Sequence, residues 1–320
     1  MDNTKDKDEL FLRPKYLKEF VGQKTLKDNL NVFINAAKQR NESLDHILLF
    51  GPPGLGKTTL ANIVANELER NIVTISGPSI ERSGDLVAVL SNLNEGDVLF
   101  IDEIHRISKS SEEMLYSAME DYKVDVVVGK DSEARTLNID IPPFTLVGAT
   151  TKPGNISSPL RDRFGYVYQF EMYSNEDIEQ IVKRTSNVFN TSIDEDAVKE
   201  IAKRSRFTPR IANRYFKRVR DYAQVNNNGS INKAVTLEAF NNLGVDEMGL
   251  DNFDIKYLSC IIDRFNGGPV GIDTLSTAIN EDVNTIEDII EPYLIQIGFV
   301  NRTKQGREVS STCKDHLKKV

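Results

Sequence analysis

Short apolar runs recur along the first half of the chain, and between them apolar residues fall at helical spacing. The runs Ile47–Phe50, Ile72–Ile75, Val98–Ile101 and Phe144–Val147 read as strands, and Tyr166–Phe170 as one more. Val98-Leu99-Phe100-Ile101 is apolar throughout, which suits a strand covered on both faces. Helical spacing appears over residues 23–40, where Leu26, Leu30, Phe33 and Ala37 form a stripe, and again over 57–69, 85–93 and 111–121. Strands alternating with helices predict an α/β domain built on a parallel sheet, here over residues 1–172.

The rhythm then changes twice. Val124, Val126 and Val128 alternate with polar residues, Gly129-Lys130-Asp131-Ser132 breaks the run, and Leu137, Ile139 and Ile141 alternate on the way back. This predicts a β-hairpin over 123–141, whose apolar face either packs on its own domain or receives another protein. From Ser174 the pattern is wholly helical, which predicts a small all-helical lid domain over 173–248 with a loop at Asn226–Ser230. Residues 253–265, 271–279 and 283–297 read as three helices, and 298–311 as two strands around Lys304-Gln305-Gly306. Three helices and a hairpin make a winged helix, a DNA-binding form, over residues 249–320.

Two motifs carry chemistry. Gly51-Pro52-Pro53-Gly54-Leu55-Gly56-Lys57-Thr58 lies between a strand and a helix and fits the Gly-x-x-x-x-Gly-Lys-Ser/Thr pattern of a P-loop. The backbone N–H groups of such a loop point into a concavity that holds an anion, and the helix dipole adds to it. Gly54 and Gly56 allow the tight turn. Lys57 would reach the terminal phosphates of ATP, and the Thr58 hydroxyl would ligate Mg2+. Asp102 and Glu103 end the Val98 strand, at the sheet edge where open α/β folds place ligands. Asp102 is a candidate Mg2+ ligand, and Glu103 a candidate base that polarises the attacking water. Together the motifs point to ATP hydrolysis.

Composition adds limits. A chain of 320 residues exceeds one comfortable core, in keeping with several domains. No apolar run approaches the roughly 20 residues that span a bilayer, and Met1–Glu9 is a charged lead-in without a secretion-signal core. A cytoplasmic protein with no membrane association is expected. Cys260 and Cys313 are the only cysteines, and His46, His105 and His316 are scattered, so neither a disulfide framework nor a zinc site is indicated. The net charge of −8 does not advertise nucleic-acid binding, but basic residues cluster. Eight lie between Lys203 and Arg220 with no acid among them. Six more (Arg302, Lys304, Arg307, Lys314, Lys318, Lys319) face only Glu308 and Asp315 near the end. A solvated helix face is the plain alternative for either cluster.

An ordered set of short motifs carries a family resemblance. Arg13-Pro14, Phe20-Val21-Gly22-Gln23, Leu44-Asp45-His46, Gly51–Thr59, Phe100–Arg106, Gly148–Thr151, Ser158–Gly165, Thr208-Pro209-Arg210 and Gly267–Gly271 follow one another. In these the chain resembles the AAA+ ATPases and, within them, the RuvB family of Holliday-junction branch-migration motors. The resemblance implies ATP-driven pumping of duplex DNA through a hexameric ring during recombination and repair. It implies that Leu12 and Arg13 contact the nucleotide or its surroundings, beside Gly51, Leu55 and Thr59 of the loop. Glu120, Asp121, Tyr122 and Tyr173 are further pocket candidates, with helix end and domain hinge as the plain alternative. Thr151, with Thr150 as rival, would orient the attacking water. Arg163, with Arg161 as rival, would be an arginine finger reaching the neighbouring subunit. Arg210 would touch the γ-phosphate from the second domain. The hairpin would dock on the junction-binding partner RuvA through Val126, Val128, Leu137 and Ile139, with a RuvC-type resolvase completing the complex.

For DNA, residues 283–297 carry Glu287, Asp288 and Glu291 but no Lys or Arg, so that helix is a poor groove reader. Backbone contact is therefore expected from the wing, chiefly Arg302 and Arg307, and indifferent to sequence. Two other readings compete. A clamp-loader subunit shares the P-loop and Asp-Glu pair but should not end in a basic wing. A DNA-binding regulator with ATP as a switch has no need of Glu103.

Overall fold

The computed structural model describes residues 12–128 and 135–318. Residues 1–11, which include the expected charged lead-in, residues 129–134, which include the expected break at Gly129–Ser132, residues 319–320 and the side chains of Val127 and Val128 lie outside the described residues. Two compact units are present, Met1–Tyr173 and Ser174–Val320.

The first unit holds β1 (Ile47–Phe50), β2 (Ile72–Ser76), β3 (Val98–Asp102), β4 (Lys123–Val128), β5 (Arg135–Asp140), β6 (Thr145–Thr150) and β7 (Tyr166–Gln169). Five of these form one sheet in the order β2-β3-β6-β1-β7, and every neighbouring pair is parallel. The central strand β6 is buried along its whole length, and the hydroxyls of its two end threonines have hydrogen-bond partners, Thr145 donating to the Leu44 carbonyl. Helix Lys24–Arg40 precedes β1, and helices Lys57–Leu68, Ser83–Leu90 and Lys109–Glu120 lie between the strands in sequence. Helix Lys24–Arg40 buries Leu26, Leu30, Ile34 and Ala37. Phe33, expected in that stripe, is instead 38% exposed and meets the edge of Tyr166 at 5.2 Å.

The strand order positions the site. β6 lies between β3 and β1, so the C-terminal ends of all three abut: Phe50 is opposite Thr150, and Ile101 opposite Gly148. Ligands of open α/β sheets bind at such an edge. The antiparallel pair β4–β5 stands apart as a hairpin, with Val124 opposite Ile139 and Val126 opposite Leu137. Val124 is buried, and Val126 and Ile139 pack against the core of the domain. Leu137 is 51% exposed.

The second unit begins with helices Asn175–Val188, Glu195–Arg204, Pro209–Asn226 and Lys233–Asn242. Asn252–Phe265 and Ile272–Ile279 follow, and then the wing, β8 (Val300–Thr303) and β9 (Gly306–Val309). The helix expected over 283–297 is interrupted: a turn at Val283–Thr285 passes through a π-helical segment, Ile286–Ile290, into Glu291–Gln296. Pro292 has no N–H to give residue 288 and so disfavours a continuous α-helical ladder. Gly306 at the wing is required by contact: its φ is +140° and a Cβ there would lie 2.4 Å from the Val270 carbonyl oxygen. A closing helix, Ser311–Leu317, was not expected from the pattern; Ser310 caps it by accepting the Cys313 N–H.

Arg206 ties the helical part of this unit to the winged part. It is 7% exposed, its Nε donates to the Gly249 carbonyl at 2.8 Å, and its Nη2 faces Asp254 and Asp251. Burial pushes the Asp254 carboxyl up to about 7, even with Arg206 opposing the shift.

Candidate nucleotide site and wing

The P-loop leaves β1 and runs into the helix Lys57–Leu68. Gly51, Gly54 and Gly56 have φ of 143°, 81° and 105°. At Gly51 the constraint is also one of space, since a Cβ would come within 3.1 Å of Phe170. Lys57 is 7% exposed, and its Nζ donates to the carbonyls of Gly51 and Pro52 at 2.7 and 2.9 Å. Burial lowers its pKa, and the nearby Glu103 and Asp102 carboxylates oppose the shift. Tyr173 closes the loop from behind, donating its hydroxyl to the Leu55 carbonyl at 3.0 Å. Leu12 is buried and Arg13 half-buried.

Asp102 ends β3, and its Oδ1 accepts the Glu103 N–H at 3.0 Å. Burial raises its pKa, and the adjacent Glu103 charge adds to the rise. Among the described residues no group of three or more His, Cys, Asp or Glu side chains could by itself hold a metal ion. One carboxylate and the Thr58 hydroxyl fit Mg2+, which takes most of its ligands from phosphates and water.

Glu103 has a φ of 50°, strained for a residue with a Cβ. Gly77 makes room for it: a Cβ there would lie 2.3 Å from the Glu103 carbonyl oxygen. Thr151 donates its hydroxyl to Glu103 Oε2 at 3.1 Å, and His105 Nδ1 lies 3.2 Å from the same oxygen. Thr150 is fully buried, with its hydroxyl 2.8 Å from His105 Nδ1 and accepting the Lys152 N–H. The carboxylate, both threonines and the imidazole thus form one hydrogen-bonded group at the ends of β3 and β6. A carboxylate held this way can orient and polarise a water. Sequence reasoning quoted His105 within a motif without a role and missed Gly77; only the fold reveals that β2 ends against Glu103.

Glu120, Asp121 and Tyr122 do not join the P-loop of their own chain. Tyr122 packs edge-on to Phe144, at the N-terminal edge of the sheet. The six residues of β6 put roughly 20 Å between that edge and the end where the P-loop lies. Glu120 pairs instead with Arg163, Nη2 to Oε2 at 3.1 Å. Arg163 also donates to the Pro159 carbonyl at 2.7 Å and lies over the Tyr116 ring at 4.5 Å. Arg161 is exposed. In the second unit Arg210 is exposed on the first turn of the helix that Pro209 opens.

On the wing, Arg302 and Arg307 sit directly opposite each other across β8 and β9. Both reach Glu291, which is fully buried: Arg302 Nε lies 2.6 Å from Oε2 and Arg307 Nε 2.9 Å from Oε1. Glu291 Oε1 also accepts the Tyr257 hydroxyl at 2.7 Å. Burial together with this carboxylate pushes the Tyr257 pKa up.

A P-loop at the switch point of a parallel sheet, a carboxylate pair on the next-but-one strand and a helical lid define an ATPase of the AAA+ class. Family models agree along the chain. Residues 12–170 match the Holliday junction DNA helicase RuvB P-loop domain, 173–246 the RuvB AAA lid domain and 247–318 the RuvB C-terminal winged helix domain. The Holliday junction branch migration complex subunit RuvB of Staphylococcus haemolyticus is 56% identical, over 97% of this chain and 94% of that protein. Its Staphylococcus aureus counterpart is also 56% identical, over 97% and 93%. The solved Thermotoga maritima RuvB Holliday junction branch migration motor superposes with a TM-score of 0.88 at 48% identity, covering 96% of this chain and 98% of that one. The chain belongs to the RuvB family.

Proposed function

We propose that this protein is an ATP-driven motor that migrates Holliday junctions by pumping duplex DNA through a hexameric ring in the cytoplasm. Membership of the RuvB family along the chain's length supports this reading, and the basic wing favours it over a clamp-loader subunit. The observation that carries hydrolysis, as opposed to binding alone, is Glu103 held by Thr151 and His105 beside the P-loop.

In this reading Lys57 and the loop amides bind the phosphates, Thr58 and Asp102 hold Mg2+, and Glu103 accepts the proton of the attacking water. Leu12, Arg13 and Tyr173 shape the rest of the pocket. Thr151 orients Glu103, and Arg210 reads the terminal phosphate from the lid. Arg163 serves the neighbouring subunit's nucleotide, with Glu120, Asp121 and Tyr122 on the same face, which makes the ring the active unit. The hairpin meets RuvA through Leu137 and its neighbours Val126, Val128 and Ile139, and a RuvC-type resolvase acts on the same complex. The wing contacts the DNA backbone through Arg302 and Arg307.

The test is ATP-dependent dissociation of a synthetic four-way junction, with and without RuvA, using Lys57→Ala as control. Dissociation that needs both ATP and RuvA and is absent in the control is expected. Good ATP turnover with no dissociation in the presence of active RuvA would overturn the reading in favour of a clamp-loader-like activity.

A further inference from the structure

Arg302 and Arg307 are directly opposite partners on one face of the wing, an arrangement that costs free energy unless acids offset it. Glu291 supplies one negative charge. It is fully buried and fixed by Tyr257 and both arginines, so it does not yield to a ligand. Two guanidinium groups against one carboxylate leave one positive charge, enough for a phosphate.

A second acid removes that surplus. Glu287, one helical turn before Glu291, accepts from Arg307 Nη2 at 2.7 Å and lies 3.9 Å from Arg302 Nη2. Its side chain is 35% exposed, so water and ions reach it. Arg307 is 13% exposed and Arg302 44%. Glu287 therefore occupies the donors that a DNA phosphate would take, and it is the one acid of the network able to give way.

We propose that Glu287 is a built-in competitor of the DNA backbone: a phosphate binds the wing by displacing Glu287 from Arg307 and Arg302, while Glu291 keeps both arginines in place. This rests on the reading that the wing touches DNA. Each wing then binds as the difference between two anions, not as a bare pair of arginines. Weak, exchangeable contact suits a motor that must release one phosphate to take the next.

The experiment measures binding of full-length protein to a labelled duplex of arbitrary sequence by fluorescence anisotropy, over about 50–300 mM NaCl. The variants are Glu287→Gln, Arg302→Ala, the two combined, and Glu308→Gln. The last removes the same charge from the wing at a residue that joins no arginine in the network. Glu287→Gln should tighten binding about three- to tenfold, the range of one partly exposed charge-assisted contact. It should also steepen the log–log salt dependence by about 0.9 for each wing engaged. Adding Arg302→Ala should remove most of that gain. Unchanged or weaker binding by Glu287→Gln, with its thermal melt unaltered, would overturn the proposal. An equal gain from Glu308→Gln would also overturn it, by reducing the effect to net charge. If Arg302→Ala alone changes nothing, what fails is wing contact itself, and the competitor idea falls with it.

Discussion

Replacing Thr151 by valine removes one hydroxyl and keeps the shape of the side chain. In the structure that hydroxyl donates to Glu103 Oε2 at 3.1 Å. A hydrogen bond to a charged group contributes about 1.5–3 kcal/mol. If the bond holds Glu103 where the attacking water must be met, that energy appears in the barrier, where each 1.36 kcal/mol is about tenfold in rate. The expected fall in kcat is thus about 10- to 100-fold. Affinity for ATP should stay within about threefold, because the hydroxyl touches neither the P-loop nor Lys57. Thr151→Ser should recover most of the loss. Thr150→Val is the comparison: it is fully buried and holds His105 and the Lys152 N–H, so its loss should lower stability before it lowers kcat. The assay is steady-state ATPase with junction DNA, paired with displacement of a fluorescent nucleotide. A Thr151→Val enzyme within twofold of the parent, or a larger kcat loss in a folded Thr150→Val, would refute the reasoning.

The same geometry makes three further predictions. His46 Nδ1 accepts the Leu146 N–H at 2.9 Å and burial lowers its pKa, so the folded state takes up its proton less readily than the unfolded state does. Its contribution to stability is complete above pH 6.5 and falls at lower pH by at most about 1.4 kcal/mol per unit; an NMR titration midpoint for His46 above 6.5 would contradict this. Arg163→Ala should cut turnover by about 10³-fold or more while leaving ATP bound, and mixing it with Lys57→Ala subunits should restore part of the activity. A mixture as inactive as either parent would place Arg163 at its own chain's site. Leu137→Asp alters an exposed hairpin residue, so basal ATPase should be unchanged and RuvA stimulation lost; loss of basal ATPase would show the hairpin serving the fold instead.

Those parts of the fold that follow from periodicity were legible in advance. Apolar runs became parallel strands because a strand covered on both faces is mostly apolar, as β3 is over Val98–Ile101, and the P-loop was legible because its glycines carry positive φ. Phe33 was misplaced because positions 33 and 34 differ by a third of a helical turn, and which of them meets the sheet depends on packing. The break at Ile286–Ile290 was legible in principle, since Pro292 follows it. Gly77 was not legible, because the Glu103 it makes room for is distant in sequence and adjacent only through the strand order; His105 lies two residues from Glu103, but its link to Thr150 arises only where β3 pairs with β6.

The wing shows how far a charge count can mislead. Summed along the chain, the last stretch is basic, and the preceding helix looks acidic and idle. Paired in space, the acids of that helix hold the arginines of the wing: Glu291 pairs with both and Glu287 with Arg307. The absence of Lys and Arg from that helix argues against its reading a groove, and in the proposal above the same acids set how strongly its neighbour can bind. An isolated Arg302 or Arg307 would be a phosphate site of fixed strength. Two arginines anchored by one buried acid and shared with one exposed acid make a site whose strength depends on what displaces Glu287. That dependence is invisible to composition, because it turns on a helix–hairpin register that brings residues 287 and 291 against 302 and 307.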